Sequence, residues 1–297
     1  MNNSLKSGII SSVIAGFISI LVYEISSNAV VSMGLYDSWW EQFATGNILV
    51  NIPLMGFWSI IFGIIYSKTY NLIPKKGIWK GLVFGLFLWT IQNIRIETYS
   101  IAYGLFLSAA GNIFAPFFSM TAYGLLLGFL YEFLSSRYYP IKEKKKIVTY
   151  DMSSGLFPGA IAGFCGGIAA GIVQVFGHVT GYWGITVAGE IISTIDFWWS
   201  QVGSHILVNM IWGTVFGAIF AKVFNLVPGK KILKGLCYGL IMVFITSIET
   251  NTWGTSWFAY HNEWGFALTS FLGNSTSIAQ AIVFGLVLGL LYRKPPK

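Results

Sequence analysis

Asn71-Leu-Ile-Pro-Lys-Lys-Gly-Ile-Trp-Lys-Gly-Leu82 and Asn225-Leu-Val-Pro-Gly-Lys-Lys-Ile-Leu-Lys-Gly-Leu236 are two copies of one phrase, and each joins two long apolar runs. An Asn-to-Pro turn and a cluster of lysines lie between the runs, so each copy reads as a short polar loop between two helices. Working outward from these loops, apolar runs fall near 8–33, 45–66, 78–94, 112–134, 156–178, 203–224, 232–248 and 271–292. A bilayer span takes about 20 apolar residues, and these runs have that length. They are too long and too irregular in alternation for strands or a large β-barrel. The expected fold is an all-α integral membrane protein with eight transmembrane helices.

Composition agrees. The 297 residues are 55% hydrophobic, 17% aromatic and only 10% charged, and the mean hydropathy is +0.68. An average soluble domain carries roughly 25% charged residues, so too few are present to cover a water-facing surface. Two cysteines, Cys165 and Cys237, exclude a disulfide scaffold and read as helix-packing residues.

Charge sets the orientation. Of 18 basic residues, all but Arg95 lie at the amino terminus, in alternate loops or at the carboxyl terminus. Lys6 precedes the first run, and Lys68, Lys75, Lys76 and Lys80 follow the second. Arg137 and Lys142 to Lys146 follow the fourth, Lys222, Lys230, Lys231 and Lys234 the sixth, and Arg293, Lys294 and Lys297 the eighth. The positive-inside rule makes that side cytoplasmic, with both termini inside a multi-pass protein of the cell membrane. The first run resembles a secretory signal, but its match in the second half argues for a retained span. The net charge of +7 is spread as topology signals, so it points to anionic inner-leaflet lipid and not to nucleic acid.

The two halves correspond throughout. Asp37-Ser-Trp39-Trp40-Glu-Gln42 recurs as Asp196-Phe-Trp198-Trp199-Ser-Gln201, and Ile48-Leu-Val-Asn51 as Ile206-Leu-Val-Asn209. Gly111-Asn112 matches Gly273-Asn274, and Ile14-Ala-Gly16-Phe17 matches Ile161-Ala-Gly163-Phe164. Gly124-xxx-Gly128-Phe-Leu-Tyr131 matches Gly285-xxx-Gly289-Leu-Leu-Tyr292. The expected organisation is a four-helix repeat over 1–136, a cytoplasmic linker over 137–155 and a second four-helix repeat over 156–297. Four spans per half make the repeats parallel, related by an axis along the membrane normal. Ile96-Glu97-Thr98 also resembles Ile248-Glu249-Thr250, but only with a two-residue gap.

Glycine is spaced by four in most runs, as in Gly155, Gly159, Gly163, Gly167 and Gly171, with Gly8, Ser12 and Gly16 on the matching face of the first run. This glycine-zipper spacing lets helix backbones approach closely.

Polar residues at helix depth are the candidates for a substrate or ion path, because they are costly in lipid. They are Glu24, Asn51, Asn209, Gln92 and Gln174, with Gln280 a further buried-depth amide. Asn51 and Asn209 read as a duplicated pair, either an interhelical hydrogen bond or a solute contact. Glu24 matches Gly171 in the second half, and Arg95 is its expected partner.

Trp39, Trp40, Trp198 and Trp199 read as an aromatic belt at the outer interface, with Asp37 and Asp196 as helix caps. The stretches 95–111 and 249–270 read as interfacial or re-entrant pieces. His178, His205 and His261, with nearby carboxylates, form a candidate zinc, copper or iron site, although no compact ligand spacing supports it. The alternative is that they serve as polar caps.

No catalytic signature is present: no nucleophile elbow, phosphate-binding loop or His-Glu-x-x-His. The chain reads as a transporter or channel for a small solute or ion. The alternative is a non-catalytic subunit anchoring a larger membrane complex, with protein partners or further copies of itself.

Overall fold

The computed structural model describes residues 3–35, 48–102, 106–138, 149–179, 195–248, 252 and 264–293. For 48–51, 96, 99–100, 102, 106–109, 176–179, 195–201 and 264–273 it describes the backbone alone.

Among these residues the chain is all-helical. The helices are α1 (Asn3–Ser32), α2 (Ile48–Thr69), α3 (Ile78–Trp89), α4 (Phe106–Arg137), α5 (Ser153–Val179), α6 (Ile195–Val223), α7 (Lys231–Val243) and α8 (Trp264–Leu291). Seven apolar helices are long enough to cross a membrane, and Ile78–Ile94 is a shorter apolar one. α3 passes through a π-helical turn, Thr90–Ile94, into a further α segment, Arg95–Ala102. α7 passes into a π turn at the matching place, Phe244–Ile248.

Two sequence expectations change here. Residues 95–111 are helical except for 103–105, which lie outside the described residues: Arg95–Ala102 extends α3, and 106–111 open α4. Likewise Asp196 does not precede its helix but lies in the first turn of α6. The apolar runs underestimate both helices, because polar residues continue a helix wherever neighbouring helices bury one face of it. The π turns also align Ile94 with Ile248, so the gapped pairing of Ile96 with Ile248 is not the geometric one.

The chain divides into two compact units, Met1–Ile147 and Val148–Lys297. In the first, α1 packs on α2 and α4, and α4 packs on α3. In the second, α5 packs on α6 and α8, and α8 packs on α7.

Glycine makes these contacts close. A Cβ built on Gly124 would stand 2.6 Å from the carbonyl oxygen of Gly81, and one on Gly285 would stand 2.7 Å from that of Gly235. A Cβ on Gly8 would be 2.5 Å from Gly63 O, and one on Gly217 would meet Gly155 O and Gly159 Cα. No side chain fits, so the backbones themselves touch and weak Cα–H···O contacts line the seams.

Aromatic rings fill what glycine leaves open. Tyr66 lies 5.2 Å from Phe84 and 5.1 Å from Tyr131; Phe220 lies 4.9 Å from Tyr238 and 5.1 Å from Tyr292. Phe62–Tyr123 and Phe216–Phe284 are both 6.4 Å.

The loops after α2 and α6 agree in detail. Lys80 Nζ donates to Tyr70 O at 2.7 Å and sits 4.0 Å above its ring. Lys234 Nζ donates to Phe224 O at 2.7 Å and sits 4.2 Å above that ring. Each lysine therefore caps the carboxyl end of the preceding helix, where positive charge is favoured. Left-handed backbone occurs at Lys75 (φ 79) and Gly77 (φ 63), and again at Gly229 (φ 95) and Lys231 (φ 44).

α1 is built inside out relative to a soluble helix. It buries Ser4, Ser7, Gly8, Ser11, Ser12, Ala15, Gly16 and Ser19. It turns Ile14, Phe17, Leu21 and Ile25 outward, Ile25 being 72% exposed.

Candidate functional site

The second unit gathers a set of neutral polar groups around Asn209. On α5, Gly163 and Gly167 face α6, where a Cβ on Gly167 would lie 3.2 Å from Asn209 Cβ. Gly166 faces α8, where its Cβ would lie 3.1 Å from Gln280 O. These glycines let both helices close on α5 and bring Asn209 to Gln280. Asn209 is 2% exposed, and its Nδ2 donates to His205 O at 2.8 Å. Its Oδ1 accepts a hydrogen bond from Gln280 Nε2. One turn before Gln280, the buried Thr276 Oγ1 has no hydrogen-bond partner among the described residues.

The chemistry of this group is uncharged. Two primary amides and a hydroxyl both donate and accept, and Gln280 keeps a second N–H beyond its bond to Asn209. Such a set recognises a neutral hydrogen-bonding group and offers nothing for acid–base work.

The other predicted residues scatter. Asn51 lies in α2, its side chain outside the described residues. It is seven residues before Trp58, whereas Asn209 is three before Trp212. Trp58–Phe62 and Trp212–Phe216 are matching ring pairs, at 6.1 and 5.9 Å. By this geometry the two asparagines sit one helical turn apart, and Met55 stands where Asn209 does: Met55 Cγ meets the Cβ built on Gly16, as Asn209 O meets that on Gly163. The sequence match therefore does not make them a structural pair.

Glu24 is half-buried on α1, and Gln174 half-buried on α5. Gln92 is buried in the π turn of α3, 3% exposed. Just beyond it Arg95 and Glu97 are both buried, and Arg95 Nε donates to Ile91 O at 3.2 Å. His205 is half-buried. The side chain of His178 and all of His261 lie outside the described residues, as do Trp39 and Trp40 and the side chains of Trp198 and Trp199. Among the described residues no three His, Cys, Asp or Glu side chains converge as a metal site would require.

Sequence reasoning missed the hydroxyls of the first unit. Ser12 Oγ donates to Ser59 O at 2.5 Å and lies 2.5 Å from Tyr123 OH. A serine has one proton to give, so Tyr123 is the donor in the second bond. Ser4 Oγ is 2.8 Å from Tyr131 OH. Serine at helical spacing (4, 7, 11, 12, 19) carries the signal, but by spacing alone it is the same as small-residue packing.

At the loop after α2, Tyr70 OH donates to Glu132 Oε1 at 3.1 Å. Burial, then the Glu132 charge, pushes the Tyr70 hydroxyl up from its ordinary range, so it remains a donor. No protein-family model, curated protein or solved structure matches this chain.

Proposed function

We propose that the chain is an integral protein of the cell membrane with eight spans, arranged as parallel four-helix repeats over 1–136 and 156–297 joined by a cytoplasmic linker, with both termini cytoplasmic. We further propose that it transports a small neutral polar solute. The observation that carries the transport reading is the Asn209–Gln280 amide pair with the buried Thr276 hydroxyl, set among apolar helices. Polar side chains at such depth are expensive in lipid, and this set offers a spare N–H and a hydroxyl beyond the bond that joins α6 to α8.

The repeat is supported by the matched ring distances, lysine caps and π turns of the two units. Membrane insertion is supported by the outward apolar face and inward serine face of α1. In lipid there is no hydrophobic drive to bury Ile or Leu between helices, and small residues pack there instead.

The test is flux into proteoliposomes containing the purified chain, using labelled urea, glycerol and acetamide as probes. Saturable uptake that Asn209→Leu abolishes supports transport, and uptake no faster than in protein-free vesicles refutes it for these solutes. Cysteines placed at positions 72 and 143 should label from the cytoplasm, and those at 104 and 262 from outside. Labelling of 72 and 143 from opposite sides would overturn the parallel repeat.

A second reading, a subunit anchoring a larger complex, is favoured by the backbone-to-backbone glycine seams, which hold each unit as a rigid body. It predicts a stoichiometric partner on purification from native membranes, and no flux.

A further inference from the structure

In the first unit, α1, α2 and α4 meet along a seam of hydroxyls. Ser4 and Ser12 bond to Tyr131 and Tyr123 across it. Ser7 Oγ, Ser11 Oγ, Ser59 Oγ and Tyr66 OH are also buried, and among the described residues they have no hydrogen-bond partner. All four residues are essentially inaccessible, at 0% exposed. Ser59 Oγ lies against Gly16, inside the contact between α1 and α2. Ser7 and Ser11 share one face of α1, a helical turn apart.

The second unit shows that packing does not require most of these hydroxyls, although Ser154, the counterpart of Ser7, keeps its own and lies 3.2 Å from Tyr292 OH. On the same frame of glycine seams and ring pairs, Ser11 is replaced by Pro158, Ser12 by Gly159, Ser59 by Gly213, Tyr66 by Phe220 and Tyr123 by Phe284. Of the hydroxyls that the second unit adds, that of Tyr238 donates to Phe216 O at 2.7 Å, and the buried one of Thr276, where the first unit has Ala115, has no partner among the described residues. A frame that closes in one unit without the hydroxyls of Ser11, Ser12, Ser59, Tyr66 and Tyr123, yet in the other carries four that have no partner among the described residues, calls for a partner that supplies hydrogen bonds.

We propose that the seam between α1, α2 and α4 is an internal water-binding site, with water bonded to the hydroxyls of Ser7, Ser11, Ser59 and Tyr66. Buried polar groups in folded proteins are satisfied by the chain or by ordered water, and water takes two to four partners of this kind. Reach agrees with this. Residues four apart on a helix rise about 6 Å, close to what one water spans with two hydrogen bonds of about 2.8 Å each. The seam of the first unit then holds water where the matching positions of the second carry Pro158, Gly159, Gly213, Phe220 and Phe284. This inference stands apart from the transport reading, because water in the seam does not depend on which solute, if any, crosses.

The test is hydroxyl-radical footprinting of the full chain in lipid nanodiscs, with radicals generated in place from water by X-rays. Tyr66 and Tyr123 are buried, as is the reference Tyr238, whereas Tyr138 is 60% exposed. Water in the seam oxidises Tyr66 and Tyr123 at rates close to that of Tyr138, while Tyr238 stays protected. In a Ser11→Ala, Ser59→Ala double variant, labelling of Tyr66 and Tyr123 is lost and Tyr238 is unchanged. Should that variant lose its fold, which circular dichroism reads as lost helix, Tyr66→Phe, the residue the second unit already carries there, takes its place with loss read at Tyr123. Wild-type Tyr66 and Tyr123 labelled no faster than Tyr238 overturns the proposal.

Discussion

Replacing Gly159 by alanine tests the packing argument most directly. A Cβ at Gly159 would stand 2.7 Å from Gly217 Cα and would also run into Gly213 O. Carbon pairs rest at about 3.5–4.0 Å, so α5 and α6 must part by roughly 1 Å. The parting is shared along the seam, because Gly155 and Gly163 meet the same two glycines of α6 or their neighbours. A gap of ~1 Å forfeits up to half of each contact of about 0.1–0.2 kcal/mol, so a few tens of atom pairs lose about 2–3 kcal/mol. Overpacking elsewhere costs about 1–3 kcal/mol, which agrees. Alanine's better helix propensity returns about 1 kcal/mol, leaving a net loss of about 1–2 kcal/mol. Gly203, also on α6, has nothing within 4 Å of its Cβ. Gly203→Ala should therefore stabilise by about 0.5–1 kcal/mol. Reversible unfolding in mixed micelles, followed by circular dichroism, separates the two. Equal shifts, or a neutral Gly159→Ala, would refute the close-contact reasoning.

Lys80→Met and Lys234→Met each remove a charged hydrogen bond to a helix-end carbonyl and a ring contact, and unfolding titrations should show a loss of about 1–2 kcal/mol for each. Lys75→Gly and Lys231→Gly relieve left-handed backbone and should raise stability by up to about 1 kcal/mol; a fall would mean that the lysine side chains matter more than their φ. The Asp151 carboxyl is held below its ordinary range by the Ser153 hydroxyl, then by the Ser153 amide. Its folded pKa is depressed, so its contribution is present above the unfolded value near 3.8 and fades as pH falls through the lower folded value. The stability gap between wild type and Asp151→Asn should close on acidification, and a gap constant with pH would contradict this. A double-mutant cycle on Asn209→Leu and Gln280→Leu should give a coupling of about 1 kcal/mol, and strict additivity would remove the amide pair from the argument.

The helices and their order were legible because apolar runs and lysine-rich loops carry a strong signal. The ends were less so. Polar residues such as Arg95 and Glu97 break a hydropathy run, yet both are buried in a helix that continues past the π turn. The π turns carry no propensity signal, and Thr90-Ile-Gln-Asn-Ile94 reads like any helical pentapeptide. The pairing of Asn51 with Asn209 failed for another reason. A four-residue match of common side chains fixes composition, whereas helix register is fixed by the glycines and rings that touch, and these align Met55 with Asn209. Serine spacing along α1 was visible, but a serine serves equally as a small packing residue and as a hydrogen-bonding one. Only the partners of Ser12 and the lack of them at Ser11 tell the two apart.

The comparison of the two units separates groups that build the frame from groups that ride on it. Glycine contacts, ring distances and lysine caps recur, so they are what the frame needs. The polar interiors recur only in part: a serine–tyrosine pair is common to both, Ser4 with Tyr131 and Ser154 with Tyr292. Ser12 and Tyr123 stand where the second unit has Gly159 and Phe284, and Asn209 and Gln280 stand where the first has Met55 and Ser119. Each unit folds without the other's polar set, and a buried polar group adds a desolvation cost that apolar isosteres avoid. The solute path and the water site proposed above are placed on these costly groups for that reason. The amides of the second unit and the hydroxyls of the first differ in chemistry and in helix position, Gln280 being four residues before Phe284, the counterpart of Tyr123. Two dissimilar polar sets on matching helix frames are what the transport proposal builds on, and the Asn209→Leu flux assay is where it meets the anchor reading.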